Sequence, residues 1–120
     1  MAWELFTQKK YSFGKPRVTI LKGGGILINK NCVEELIKGK KFLNLYLNTE
    51  KNKRMIGIKP TDKEDMYSYR VNAKTAKSGI GISAISFFKK SKIDYKDLKQ
   101  RVYQPIWDEK EGMIVVSLEE

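Results

Sequence analysis

The chain has 120 residues, of which 24 are Lys or Arg and 14 are Asp or Glu, so its formal net charge at pH 7 is +10. Histidine is absent and cysteine occurs once, which removes most of the parts that the usual serine, cysteine and metal active sites require. We therefore predict that the protein is not an enzyme, uses no cofactor and holds no metal.

The first patterned segment follows a short leader, residues 1–16. Val18 and Ile20 alternate with other residues, which predicts a strand, and the same alternation over residues 26–28 predicts a second one. The glycine-rich residues 22–25 between them are typical of a hairpin turn that needs positive φ. The alternative is that bare backbone N–H groups of this turn cradle a phosphate.

Residues 29–38 change to a helical period. Asn31, followed three residues later by Glu34, fits a capping box, and Gly39 is placed to end the helix. One apolar stripe is formed by Cys32, Val33, Leu36 and Ile37. In that stripe Cys32 is expected to be buried rather than to act as a nucleophile, because no histidine is present as its base.

Two strands, residues 42–47 and residues 55–58, complete a first half, and Pro60 is expected to stop the second of them. An acidic linker, residues 61–68, follows. The same order then recurs as a strand at 69–71, a strand at 80–82, a helix over 84–90 capped by Ser83, a connector at 91–100, and a closing hairpin of 101–107 with 113–118.

The two halves align in a common order of elements. Arg17-Val18 matches Arg70-Val71, Gly25-Ile26 matches Gly79-Ile80, and Met55-Ile56 matches Met113-Ile114. We predict one domain over residues 1–120, with half-repeats at 17–60 and 69–118. Its fold class would be α+β and β-rich, a small barrel of two pseudo-symmetric ββαββ-like halves. Chance similarity between two β-rich halves is the alternative.

Residues 17–60 resemble the swapped-hairpin barrel of AbrB-type prokaryotic DNA-binding proteins, including SpoVT-, MazE- and MraZ-like members, and residues 69–118 resemble it more loosely. The resemblance implies two copies of the motif in one chain and a role in DNA binding. The sequence departs from the family where a proline often begins the helix and an arginine follows four residues later, since Asn29 and Val33 stand there. It is also similar to uncharacterised small basic prokaryotic proteins, which implies no activity.

Basic residues cluster near the starts of the predicted strands, and this pattern favours a nucleic-acid partner. Most of the basic residues are Lys, which contacts phosphate as a point charge, so we expect backbone binding of duplex DNA, preferred over RNA, with modest sequence specificity. A solvated coat of lysines is the alternative. The predicted contact residues are Lys9, Lys10, Lys15, Arg17, Lys22, Arg70, Lys74 and Lys77.

Four aromatic residues lie close to basic ones, as in proteins that stack single-stranded bases: Tyr11, Phe13, Tyr67 and Tyr69. Packing on a sheet is the favoured interpretation for them. The sequence shows no membrane span and no secretory signal, and its lone cysteine suits a reducing cytoplasm, so we expect a cytoplasmic protein without a membrane partner. If it binds DNA, we expect its role to be regulatory or chromatin-associated. A homodimer would double the basic surface. The competing hypothesis is a protein-interaction module, antitoxin-like or of a phage-adaptor type, with no nucleic-acid contact.

Overall fold

A computed structural model of the chain describes residues 15–48, 54–71 and 79–118, and within them the fold consists of two antiparallel sheets and two short helical segments. The strands are β1 (Val18–Ile20), β2 (Gly25–Ile28), β3 (Phe42–Asn48), β4 (Met55–Thr61), β5 (Tyr69–Arg70), β6 (Ile80–Ser83), β7 (Val102–Tyr103), β8 (Ile106–Asp108) and β9 (Met113–Ser117). The helical segments are α1 (Lys30–Cys32), continued by a π-helical turn (Val33–Ile37), and α2 (Ile85–Lys90).

Sheet A has the strand order β6-β2-β1-β7. Buried and more exposed side chains alternate along its strands as the sequence predicts, because every second side chain faces the core. The outward row runs across the sheet from Gly81 through Leu27 and Thr19 to Val102. The inward side chains are all buried: Val18, Ile20, Ile26, Ile28, Ile80, Ile82 and Tyr103.

Sheet B has the strand order β5-β3-β4-β9-β8. Its inner face buries Leu43, Ile56, Ile58, Ile114 and Val116, and Trp107 and Tyr69 pack against the same cluster. The inward faces of the two sheets therefore contribute to one hydrophobic core.

The helices complete this core. Phe88 of α2 is fully buried and packs its ring edge-on against Phe87 and beside Tyr95, with centroid distances of 5.7 and 5.2 Å. Cys32 and Ile37 bring the first helical segment into the same cluster, as the apolar stripe predicts. The β-rich α+β class is confirmed, and the described strands form two open sheets with no ladder that closes them into one barrel.

The N-cap of the first helical segment lies two residues earlier than predicted. Asn29, not Asn31, is the N-cap residue, and its side-chain oxygen accepts a hydrogen bond from the backbone N–H of Cys32. From Val33 onward the backbone bonding widens, since the N–H of Lys38 donates to the carbonyl of Val33 at 2.9 Å. A π-helical turn of this kind is rare, and the sequence carries no signal that distinguishes it from an α-helix.

The second helix also differs from its predicted start. Ala84 is the N-cap of α2 and no side chain caps it, whereas Ser83 is the last residue of β6 and lies opposite Gly25 of β2. The prediction that Ser83 caps the helix is therefore wrong, because strand pairing holds that residue in the sheet.

Proline has two different effects in this fold. Pro60 does not stop β4, which runs on to Thr61, because β9 pairs with β4 only as far as Ile58 and the proline lies beyond that ladder. Pro105, by contrast, falls between β7 and β8. The closing strand expected over residues 101–107 is thus divided, with β7 in sheet A and β8 in sheet B.

The glycine-rich segment after β1 forms a hairpin turn. The N–H of Leu21 donates to the carbonyl of Gly25, the N–H of Gly24 donates to the carbonyl of Leu21, and Gly24 has a φ of +91°. A side chain at Gly24 would also collide with Ile85 at the start of α2. Turn geometry and close packing therefore account for glycine here.

Candidate nucleic-acid interface

Asn29 joins the segment before β1 to the start of α1. Its Oδ1 accepts hydrogen bonds from the backbone N–H groups of Arg17 and Cys32, at 2.9 and 3.0 Å, and its Nδ2 donates to the carbonyl of Lys15 at 2.9 Å. Its own N–H donates to the carbonyl of Arg17 at 3.1 Å. One side chain thus caps the helix and fixes the path of the basic segment beside it.

This junction places basic residues at one corner of sheet A. Lys15 and Arg17 are exposed, and Lys30 follows Asn29 as the first residue of α1. Glu34, one turn along, lies 3.8 Å from the Lys30 ammonium, so part of the local positive charge is offset. The corner remains basic because hydrogen bonds to Asn29 fix the backbone of both Lys15 and Arg17 there.

Lys22 lies at the opposite end of sheet A. It is exposed in the turn after β1, whereas Arg17 directly precedes β1. Because each strand residue advances the chain by about 3.3 Å, the two backbone positions are separated by up to roughly 17 Å. The structure therefore does not gather Lys22 and Arg17 into one compact site, although a long polyanion could span both.

Arg70 belongs to the other sheet. It lies in β5, where its guanidinium is 3.7 Å from the Glu64 carboxylate and 5.9 Å from the centre of the Phe42 ring. The Arg70 and Glu64 side chains are both exposed, so their ion pair contributes little to stability. The Glu64 carboxylate nevertheless offsets part of the positive charge with which Arg70 was expected to contact phosphate. Arg70 and Arg17 are thus on different sheets, and no described contact joins them.

Four of the eight predicted contact residues lie outside the described residues: Lys9, Lys10, Lys74 and Lys77. Of the other four, Lys15 and Arg17 share the Asn29 corner. Lys22 and Arg70 each lie elsewhere.

Sequence reasoning missed the turn that leads into β5. Tyr69 is half-buried as expected for sheet packing, but the prediction for Tyr67 is wrong, since 76% of that residue is exposed beside Met66 at 84%. Tyr11 and Phe13 lie outside the described residues. Asp65 organises the turn: its Oδ1 accepts the N–H of Tyr67 at 2.7 Å, its Oδ2 accepts from Asn44, and its backbone bonds Ser68. The Asp-x-x-Ser spacing, typical of such turns, was the signal available.

The charged groups around this turn are fixed by their neighbours. Hydrogen bonds from the backbone of Tyr67 and the side chain of Asn44 hold the pKa of Asp65 below its usual range. A hydrogen bond from the Lys40 ammonium does the same for the pKa of Asp62. Both carboxylates therefore have specific hydrogen-bond partners, Asp65 within the turn and Asp62 just before it.

Cys32 shows no sign of activation. Burial, with a smaller contribution from the nearby Glu35 charge, raises the pKa of its thiol to about 12, so the reactive thiolate is suppressed.

Across residues 15–48, 54–71 and 79–118, no group of three or more His, Cys, Asp or Glu side chains is placed to share a metal ion. No helix in those same residues is both long and apolar enough to cross a membrane.

Comparison with known proteins finds no matching family model, no matching curated protein and no matching solved structure.

Proposed function

We propose that the protein binds nucleic acid, with duplex DNA preferred, through contacts between its basic side chains and backbone phosphates. The observation that carries the proposal is the Asn29 junction, which fixes the exposed residues Lys15 and Arg17 beside α1. Fixing the backbone of a basic segment reduces the entropy that its side chains lose when they contact a phosphate. A regulatory or chromatin-associated role would follow from such binding.

The charge of the whole chain supports the same proposal. A net charge of +10 on 120 residues attracts polyanions over the Debye length and speeds their encounter. The composition favours phosphate contacts over base reading, because lysine lacks the forked guanidinium that recognises guanine edges. We therefore expect strong salt dependence and weak discrimination between sequences.

We further propose that the two halves of the chain are related by approximate twofold axes, in keeping with the resemblance to AbrB-type proteins. In the β2–β6 ladder, Leu27 pairs with Gly81, and these residues correspond in the two half-repeats. In the β4–β9 ladder, Gly57 pairs with Val115, which correspond in the same way. An antiparallel ladder centred on equivalent residues is what a local twofold axis produces, so both registers support the proposal.

The exchange of strands between the halves supports it as well. β1 of the first half pairs with β7 of the second, and β5 of the second half pairs with β3 of the first. The first strand of each half thus pairs with the third strand of the other half. A pseudo-symmetric pair of ββαββ-like halves accounts for both exchanges, with the two sheets as parts of one barrel-like core.

The test of DNA binding is fluorescence anisotropy with a labelled duplex, the corresponding single strand and an RNA of the same sequence, over a series of salt concentrations. We expect the duplex to bind most tightly and the logarithm of its binding constant to fall linearly with that of the salt concentration. Arg17→Gln and Lys15→Gln should each reduce that slope by about 0.9 if each residue neutralises one phosphate.

Lys110→Gln is the matched control, because it removes one exposed charge from the turn after β8, in the other sheet. If the control lowers the slope as much as Arg17→Gln, the charge acts as a uniform coat and the proposed site is wrong. Absence of binding to every nucleic acid at about 100 mM salt would overturn the proposed function itself and favour a protein-interaction module.

A further inference from the structure

The outer face of sheet B displays apolar side chains. Strand pairing places Tyr46, Gly57, Val115 and Ile106 in one row across this face. Ile106 is 68% exposed and Tyr46 is 44% exposed. A patch of this kind on a highly charged protein is typical of a surface that meets another macromolecule.

The turn containing Met66 and Tyr67, which we term the 65–68 turn, stands at one end of the same face. It is attached there by the hydrogen bond from Asn44 Nδ2 to Asp65 Oδ2 at 3.0 Å, and Asn44 is two residues from Tyr46 on β3. Met66, Tyr67 and Ile106 are the three most exposed large hydrophobic residues of the described chain. All three are therefore carried by this face or by the turn fixed to it.

A groove of about 720 Å³ lies on the same face of sheet B, lined by residues of β3, β4, β9 and the turn after β8. Its apolar lining is formed by Tyr46, Leu47, Met55, Gly57, Met113 and Val115. Gly57 permits this shape, because the sulfur of Met113 lies across that position and a Cβ there would push the Met113 side chain aside. The groove is large enough for side chains such as Met and Tyr, since ligand pockets are commonly about 300–1,000 Å³.

The charges at the two ends of the face are complementary. Asp108 and Glu111 line the groove. At the turn end, Asp62 and Glu64 are paired with Lys40 and Arg70, at 3.1 and 3.7 Å, and the Asp65 carboxylate accepts hydrogen bonds from Asn44 and the Tyr67 backbone. Lys59 and Lys63 lie at that same end, since Lys59 pairs with Asn44 across β3 and β4 and Lys63 precedes the turn.

We propose that two copies of this chain associate through the outer faces of sheet B, with the 65–68 turn of each copy seated in the groove of the other. A twofold interface requires one surface to carry both a protrusion and its complement, and this face carries both. The same rotation brings Lys63 of one copy to the acidic rim of the other. Met and Tyr, which form the protrusion, are enriched in protein interfaces.

The proposal is independent of nucleic-acid binding, because the Asn29 corner belongs to sheet A. Sedimentation equilibrium of the full chain without nucleic acid tests it, from about 1 µM to about 1 mM protein, the range in which a weak dimer dissociates. A salt concentration of about 0.5 M screens the repulsion between two basic copies and removes bound nucleic acid. We expect a monomer–dimer equilibrium.

Replacing both apolar residues of the turn, Met66→Ser with Tyr67→Ser, should raise the dissociation constant at least about tenfold. Val102→Ser is the matched control, because Val102 is 46% exposed on the outer face of sheet A, and it should leave the constant unchanged. Circular dichroism confirms that each variant is folded, as expected for exposed positions.

A charge exchange, measured at about 0.1 M salt so that the charges are less screened, tests the orientation. Glu111→Lys should weaken association by placing two basic groups together, and combining it with Lys63→Glu should restore it. A chain that stays monomeric at every concentration overturns the proposal. A dimer that the turn variant leaves intact overturns it equally.

Discussion

Gly79 lies directly against the backbone of Ile28. A Cβ on Gly79 would stand 2.9 Å from the carbonyl oxygen of Ile28, and the φ of Gly79 is +121°, a conformation that residues with side chains rarely adopt. The contact brings the start of β6 next to the end of β2, where Asn29 begins its hydrogen bonds to α1 and to the segment before β1.

Gly79→Ala should therefore lower the free energy of unfolding by about 1–3 kcal/mol, because both the strained backbone and the close carbonyl oppose a side chain. Gly57→Ala is the control. Its new Cβ meets the flexible end of Met113, which can move aside, so the loss should be below about 1 kcal/mol. Urea denaturation of both variants measures the difference, and equal losses would contradict this account.

Asn29→Ala should cost about 1–2 kcal/mol, the effect of losing an N-cap together with the bonds to Arg17 and Lys15. Asn29→Ser keeps a side-chain acceptor for the N–H of Cys32 but cannot make all three bonds, so its loss should be smaller. The midpoints of urea unfolding separate the two variants. If serine is as damaging as alanine, capping is not the main contribution of this side chain.

Cys32 should resist alkylation in the folded protein at pH 8, because it is buried and its thiol pKa is raised to about 12. Modification by iodoacetamide should require unfolding, so its rate should follow the unfolded fraction as urea is added. Mass spectrometry measures the rate at each urea concentration. Rapid labelling without urea would show that the helix opens locally around Cys32.

Asp65 should give a stability contribution that disappears in acid. Its folded-state pKa is depressed by hydrogen bonds from the Tyr67 backbone and the Asn44 side chain, so the contribution is complete above its unfolded-state value, about 3.9, and is lost as the pH falls through the folded-state value. Asp65→Asn should consequently be less stable than the natural chain at pH 6, with the gap narrowing below pH 4.

The carboxyl carbon shift of Asp65 in an NMR titration measures this pKa directly. A titration midpoint at or above about 3.9 would contradict the hydrogen-bonding pattern of the turn. Unfolding experiments at pH 6 and below pH 3 give the corresponding difference in stability.

The parts of the fold that the sequence predicts are those decided by neighbouring residues. Alternation of β-branched residues predicts β1 and β2, the glycines between them predict their turn, and the apolar stripe predicts the buried face around Cys32. The position of Ser83 depends instead on its partner Gly25, which is far away in the sequence. Local propensity carries no information about such pairing, so the cap was assigned to the wrong residue.

The candidate site was predicted only in part for a similar reason. Charge density identifies Lys15 and Arg17, but only the folded chain shows that Asn29 holds them beside α1. In the sequence, Asn29 stands out as a departure from a family pattern, although asparagine at a strand–helix junction is a good capping residue. Tyr67 was assigned to sheet packing because aromatic residues usually pack, and the turn built by Asp65 prevents that.

The division between β7 and β8 has a consequence for how the molecule opens. Only Gln104 and Pro105 separate the two strands, yet β7 pairs with β1 in sheet A while β8 pairs with β9 in sheet B. Because the link is so short, sheet A and sheet B cannot separate without straining the β1–β7 ladder or the β8–β9 ladder. Amide protons of Val18 and Ile114, one in each sheet, should exchange with solvent through a shared opening event, and the protein should rupture under load in a single step.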